Sequence, residues 1–286
     1  MRLYWMQGEL NNLDETTLKD SSIQNMNGQY ILRAIIDSLD GDEKIKEVRI
    51  GLHWTAVVSR YCGLSSTMIG EHCAHEAREE ITPVSLTDMT AMELAQYCFS
   101  DDISKASLGL AAVNSLNEIN ESKTVDVNAG ELLLKYGQNK NVSVIGHFPF
   151  TDALRKTAKN LWVIEKRAIK GDYPEDSAEK YLPQSDIIAI SSTTLVNHTL
   201  QNLLKLCPQH SLKMLLGPTT PMNEVIFDFG FDIISGSKVT DINIALKHIS
   251  EGTNFRQLKR TGSIRLFTMM KEPVSKRPIL ADLSVG

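Results

Sequence analysis

Cysteine is scarce in this sequence. Four thiols, Cys62, Cys73, Cys98 and Cys207, are spread over 286 residues with no C-x-x-C pair. That number cannot staple a chain of this length, so a disulfide framework is excluded and the thiols are expected to be reduced. Cys98 and Cys207 fall in apolar helical stretches and read as small core residues. Long hydrophobic runs are missing too, and none reaches the roughly 20 residues that a membrane-spanning helix needs. The opening Met1-Arg2-Leu3-Tyr4-Trp5-Met6 lacks the continuous apolar core of a secretion signal, which makes the cytoplasm the expected location. Positive charge is not in excess: 30 Lys and Arg face 35 Asp and Glu, for a net charge of -5. Neither nucleic acid nor an anionic membrane surface therefore has an electrostatic claim as a partner. Internal repeats and low-complexity tracts are absent as well.

What is present is an ordinary globular composition, 42% hydrophobic and 23% charged, long enough for about two domains. Its most informative feature is a series of short apolar runs in the second half, each ending in a polar, Gly- or Pro-bearing loop. Val142-Ser143-Val144-Ile145 leads into Gly146-His147-Phe148-Pro149, and Leu161-Trp162-Val163-Ile164 into Glu165 and Gly171-Asp172-Tyr173-Pro174. Ile187-Ile188-Ala189-Ile190 leads into Ser191-Ser192-Thr193-Thr194, Met214-Leu215-Leu216 into Gly217-Pro218-Thr219-Thr220-Pro221, and Phe231-Asp232-Ile233-Ile234 into Ser235-Gly236. Buried parallel strands have this appearance, because both faces of the sheet are covered. Helices fit between them: 151–159, 175–181, 196–206, 224–229 and 241–249, with a closing strand at 263–267. This predicts a doubly wound, mostly parallel α/β sheet.

The first half predicts a small α+β unit. A helix spans about Leu13 to Leu39, with Ile31, Leu32, Ile35, Ile36 and Leu39 as its buried stripe. Strands follow at 47–52 and 54–59, a turn at Tyr61–Leu64, and a third strand at 66–69. Helices then cover Ala91–Phe99, capped by Thr87 or Asp88, Ser104–Leu116, and Ala129–Tyr136. The polar, aperiodic stretch 137–141 marks a domain boundary, giving units 1–138 and 139–286, with 1–12 as an extension.

Loops beyond the carboxyl ends of parallel strands are where such sheets bind ligands. A dinucleotide site would show G-x-G-x-x-G after the first strand; Gly146 is followed instead by bulky His147 and Phe148 and rigid Pro149, which disfavours a close pyrophosphate. His147 is a candidate acid/base or metal-binding group, or a residue that shapes the turn. Glu165 sits where nucleotide-type folds place an acid on a ribose hydroxyl, and could equally bond a neighbouring loop. Asp172 can cap a helix or reach the pocket. Thr193, Thr194 and Asn197, with the adjacent serines, carry more hydroxyl and amide groups than capping requires. Gly217, Pro218 and Thr220 belong to a stiff loop suited to a preformed pocket wall. In the first half, Glu71-His72-Cys73-Ala74-His75-Glu76 is dense in nitrogen, sulfur and oxygen donors. His72, Cys73 and His75 are thus metal-ligand candidates, although their spacing matches no standard zinc pattern and a solvated loop explains them too. His53, beside Trp54, reads as a packed or edge histidine.

Val144–Pro149 (VIGHFP), Gly171–Glu175 (GDYPE), LP-x-x-D at 182–186, TTLVN-x-TL at 193–200 and LLGPTTP at 215–221 together resemble the heavy-metal-chelation family of uncharacterised prokaryotic proteins. Gly230 and Ser235-Gly236 fit its continuation, and SLGLAAVNSL at 107–116 resembles the helix before its second domain. The resemblance covers most of the chain from about residue 45. It implies an enolase N-terminal-like domain followed by a Rossmann-like domain, with a site where the two meet. It implies heavy-metal chelation, or condensation or hydrolysis in making pterin-, flavin- or siderophore-like compounds. Carried over by position, His147, Glu165 and Asp172 become the catalytic candidates. Asn114, Thr193, Thr194, Asn197, Gly217, Pro218 and Thr220 become the ligand-binding ones. The cluster at 71–76 and residues 1–12 have no counterpart in the family pattern.

Three functions follow as expectations. The first is binding or transformation of a small polar, metal-chelating compound in the interdomain cleft, with His147 moving protons. The second is a non-catalytic metal carrier or sensor using His72, Cys73 and His75, with a transition metal ion as the bound cofactor. The third is a nucleoside-type binder of S-adenosylmethionine, supported by Glu165 and opposed by the missing glycine loop. A two-fold homodimer is the default expectation for assembly.

Overall fold

The computed structural model describes residues 29–70 and 85–271. The first unit opens with helix α1 (Tyr30–Asp37), which buries Ile31, Leu32, Ile35 and Ile36 as the apolar spacing predicts. The expected start of that helix, from Leu13, lies outside the described residues. Three antiparallel strands follow in the order β1 (Glu47–Ile50), β2 (Trp54–Val58), β3 (Cys62–Ser66). The third strand replaces both the turn expected at 61–64 and the strand expected at 66–69. Gly63 is there for packing: a Cβ on it would stand 2.2 Å from the carbonyl oxygen of Ala111.

Helix α2 (Ala91–Ala95) is capped by Thr90, whose side chain accepts from Glu93 N while the Glu93 carboxylate accepts from Thr90 N. This reciprocal box satisfies two free amides at once, which neither Thr87 nor Asp88 does. Helix α3 (Ile103–Leu116) starts at Asp102, which accepts from the amides of Ser104 and Lys105. Ten of its residues from Ala106 onward are buried, because the helix is packed on several sides.

The second sheet has seven strands. β4 (Thr124–Val125) pairs antiparallel with β10 (Ile264–Met270), which pairs antiparallel with β9 (Ile233–Val239). The parallel part then runs β9, β8 (Leu212–Leu216), β7 (Ile187–Ser191), β5 (Asn141–Ile145), β6 (Asn160–Ile164). Along the chain these parallel strands occupy second-first-third-fourth-fifth order, which puts a topological switch point between β5 and β7. Strand β4 and helix α4 (Ala129–Tyr136) belong to this sheet's side of the molecule. Residues 124–136, assigned from sequence to the first unit, are therefore built into the second, ahead of the 137–141 break.

Alternate residues of each parallel strand serve two cores. Ile187, Ala189, Leu212 and Met214 face α4 and α5 (Thr151–Thr157). Ile188, Ile190, Leu215 and Ile234 face the other way, toward α6 (Ala178–Tyr181), α7 (Thr193–Val196), α8 (Leu200–Leu206) and the helices of the first unit. The helix expected over 196–206 is split at Asn197–Thr199, where His198 takes a left-handed backbone with φ 60°. The outer face of the small sheet, Trp54, Ala56 and Val58, is covered by α9 (Ile242–Ser250) and α10 (Phe255–Arg260). Among the described residues no helix is long and apolar enough to cross a membrane.

Candidate functional site

The carboxyl ends of β5, β6 and β7 open into a cleft of about 570 Å³, within the size range of small-molecule sites. Its walls come from both units. Ile145, Gly146, Ile164, Glu165, Ser191, Thr193, Thr194 and Asn197 line the sheet side, while Thr67, Met68, Ile69, Gly70 and Ile103 line the other. The cleft therefore sits at the switch point, where the βα loops diverge and leave room for a ligand.

The local chain explains each polar group's position. Gly146 has φ 100°, and a Cβ there would stand 3.0 Å from Ser191 Cβ, so a larger residue would wedge the two strand ends apart. Ser191 and Thr193 share a hydroxyl–hydroxyl contact of 2.8 Å. The Thr194 hydroxyl donates to Ser191 O at 2.6 Å and is almost wholly buried, leaving Thr193 as the more available of the two. The Asn197 side-chain oxygen accepts from Thr199 N and Oγ1, which leaves its amide nitrogen as the donor toward the cleft. Glu165 N donates to Tyr173 O, and its carboxylate accepts from Lys166 N at 2.9 Å. Lys166 pairs with Glu175 at 3.5 Å on the same rim. Apolar side chains from both units, including Met68, Ile69, Ile103 and Leu203, complete the lining.

His147 follows Gly146 in the chain, and neither it nor Asp172 is among the cleft's lining residues. Nδ1 of His147 lies 3.2 Å from Asp172 Oδ2, and the Ile169 amide donates to that same oxygen at 3.3 Å. Asp172 thus holds the His147 ring and the Ile169 amide, and it does not cap α6, whose N-cap residue is Ser177.

The remaining sequence candidates are brought together elsewhere. Asn114 Nδ2 donates to Leu64 O at 2.8 Å and to Thr219 O at 3.0 Å, tying β3 to the loop after β8. Thr219 Oγ1 accepts from Ser66 N and shares a 3.0 Å contact with Ser66 Oγ. Gly217 has φ 127° with Ser192 Oγ 2.9 Å from where its Cβ would be; Pro218 O accepts from Ser237 Oγ; Thr220 Oγ1 donates to Gly217 O. The loop 217–221 joins the two units more than it faces the cleft, and Asn114 and Thr220 line a separate hollow of about 90 Å³. His72, Cys73 and His75 lie outside the described residues. Among the described residues no three His, Cys, Asp or Glu side chains converge as a metal cage. Sequence reasoning missed Thr67–Gly70 and Ile103 as cleft residues, because nothing in their residue types signals a wall.

Sequence comparison places residues 128–268 and 32–117 on two family models, both described as "Putative heavy-metal chelation". An uncharacterized protein of Methanocaldococcus jannaschii is 25% identical over 252 residues, covering 83% of this chain and 94% of its own. A crystal structure of a protein of unknown function from Desulfitobacterium hafniense DCB-2 superimposes with a TM-score of 0.73 at 25% identity, over 85% of this chain and 98% of that one. Another, from Pyrococcus horikoshii, gives 0.71 at 20% identity, over 86% and 100%.

Proposed function

The chain belongs to the family described as heavy-metal chelation, and from that membership we propose that its cleft binds a small polar compound that itself chelates a metal ion, of pterin, flavin or siderophore type. One observation carries the reading: the hydroxyls of Ser191 and Thr193, the Asn197 amide and the Glu165 carboxylate converge on one cleft with apolar walls from both units. Such a surface suits a flat or hydroxylated compound that needs its edge hydrogen-bonded and its faces covered. Glu165 would accept from ring N–H or hydroxyl groups, the Asn197 amide would donate, and the Thr193 hydroxyl would serve either polarity.

Calorimetry with a reduced pterin, a flavin, a catecholate and a hydroxamate, each free and metal-loaded, tests this. One class should bind, and Glu165→Gln and Thr193→Val should each weaken it by about tenfold, the loss of one good hydrogen bond. Binding that both substitutions leave unchanged, or no binding by any class, overturns the reading.

A further inference from the structure

Glu165 lines the cleft with hydrogen-bonding capacity that the protein does not use. Its Oε1 accepts from Lys166 N at 2.9 Å, which orients the carboxylate, and Oε2 has no partner among the described residues. The loop that follows does not depend on this side chain. Main-chain bonds hold it: Glu165 N donates to Tyr173 O, and Tyr173 N donates to Val163 O. Three successive residues grade from core to solvent. Ile164 is 2% exposed, Glu165 is half-buried, and the Lys166 side chain is 49% exposed. Glu165 is therefore at the mouth of the cleft, with buried Ile145 and Ile164 behind it. Charge narrows what it can hold. Lys166 and Arg167 follow it directly and line the same cleft, so a cationic ligand group would meet two like charges. The rim's other carboxylate, Glu175, is paired with Lys166 at 3.5 Å. Neutral O–H donors suit Glu165 best. A carboxylate has about four lone-pair sites, and Lys166 N takes one, so two hydroxyls on adjacent carbons can be held together. Position in the fold agrees. β6 pairs with β5, the first parallel strand, and Glu165 ends it roughly 20 residues after Gly146, where doubly wound sheets place the acid that meets ribose hydroxyls.

We propose, on the reading of the cleft as a small-molecule site, that it selects compounds carrying a vicinal diol and that Glu165 recognises the diol. The ring of such a compound lies against Ile145 and Ile164. Its hydroxyls donate to Oε2 and to the remaining lone pair of Oε1 at the mouth. Bulky His147 and Phe148 after Gly146 deny a diphosphate close approach, so the diol belongs to a nucleoside or to a polyol chain on a ring. Pterins and flavins with such a chain are then preferred over the bare rings.

Isothermal titration of the full chain with matched pairs tests this: riboflavin against lumiflavin, neopterin against methylpterin, and adenosine against deoxyadenosine. Each pair keeps the ring and removes the diol. In at least one pair the diol member should bind about 10-fold more tightly, as one charge-assisted hydrogen bond provides. Glu165→Ala should abolish that preference and leave the affinity for the diol-free member as it was, which also shows that the variant is folded. Equal affinity within every pair, or a preference that Glu165→Ala leaves intact, overturns the diol assignment, while ring binding keeps the cleft reading. A preference confined to adenosine upholds the diol and removes pterins and flavins from the cleft. No binding by any of these compounds overturns the diol assignment, and the cleft reading with it unless a catecholate or hydroxamate binds.

Discussion

Asn114 reaches across the junction of the two units to Thr219: its Nδ2 lies 3.0 Å from that residue's carbonyl oxygen and 2.8 Å from Leu64 O. One amide group thereby satisfies two carbonyls, one in β3 and one in the loop after β8. Asn114→Ala should cost about 1–3 kcal/mol, since it strands acceptors that water reaches poorly. Urea unfolding monitored by circular dichroism would measure the loss. A midpoint unchanged from wild type would mean the two carbonyls find water instead.

Gly63→Ala should be worse. The new Cβ would stand 2.2 Å from Ala111 O and from Ser115 N, both backbone atoms of α3, so no side chain can rotate away. Overpacking of this kind costs on the order of 1–3 kcal/mol or more, because strand and helix must separate. Yield of folded protein and thermal melting report it directly. A melt within a degree or two of wild type would show that β3 and α3 can part cheaply.

The buried thiols make stability depend on alkaline pH. Burial, with the Glu47 carboxylate adding to it, pushes Cys62 up to about 12. Burial pushes Cys207 up to about 11 against the pull of Lys213, and raises Cys98 as well. In the unfolded chain a thiol ionises near about 8.5. Above that value the unfolded state binds fewer protons than the folded one, so stability is fully present below it and falls as pH rises toward the folded values. Denaturation midpoints should drop from pH 8 to pH 10, and Cys98→Ala should flatten the slope. In the native protein Cys62 and Cys98 should resist Ellman's reagent at pH 8, and rapid labelling of either would contradict its burial.

Thr193 and Thr194 should separate ligand effects from folding effects. Thr194→Val removes a buried hydroxyl's bond to Ser191 O and should lower stability by about 1 kcal/mol. Thr193→Val leaves that bond in place and should act mainly on ligand affinity. Chemical denaturation of the two variants side by side would tell them apart; equal losses would mean that the Ser191–Thr193 hydroxyl contact is as structural as its neighbour.

The parallel strands are legible in the sequence because both their faces are covered, which lets Ile187–Ile190 and Met214–Leu216 be apolar without alternation. β3 is not, since Cys62-Gly63-Leu64 reads as a turn when the glycine is present for close approach to α3. β4 has two residues and no pattern to find. The break between α7 and α8 depends on His198 adopting a positive φ, which its neighbours' apolar periodicity conceals. That Glu165, Thr193, Thr194 and Asn197 line the cleft is legible because strand ends fix where loops open. Asn114, Gly217 and Thr220 look equally functional in sequence, yet their hydrogen bonds point inward; a polar residue's partners are invisible until the chain is folded.

The core that holds Ile31, Leu94 and Leu110 also holds Ile145, Ile188 and Phe267, so one apolar mass runs through both units. Neither half owns a melting temperature. Cutting the chain between them would expose apolar surface on each piece, and a calorimeter heating the intact protein should record a single endotherm rather than two. The two segments that families of sequences distinguish are, to heat, one body.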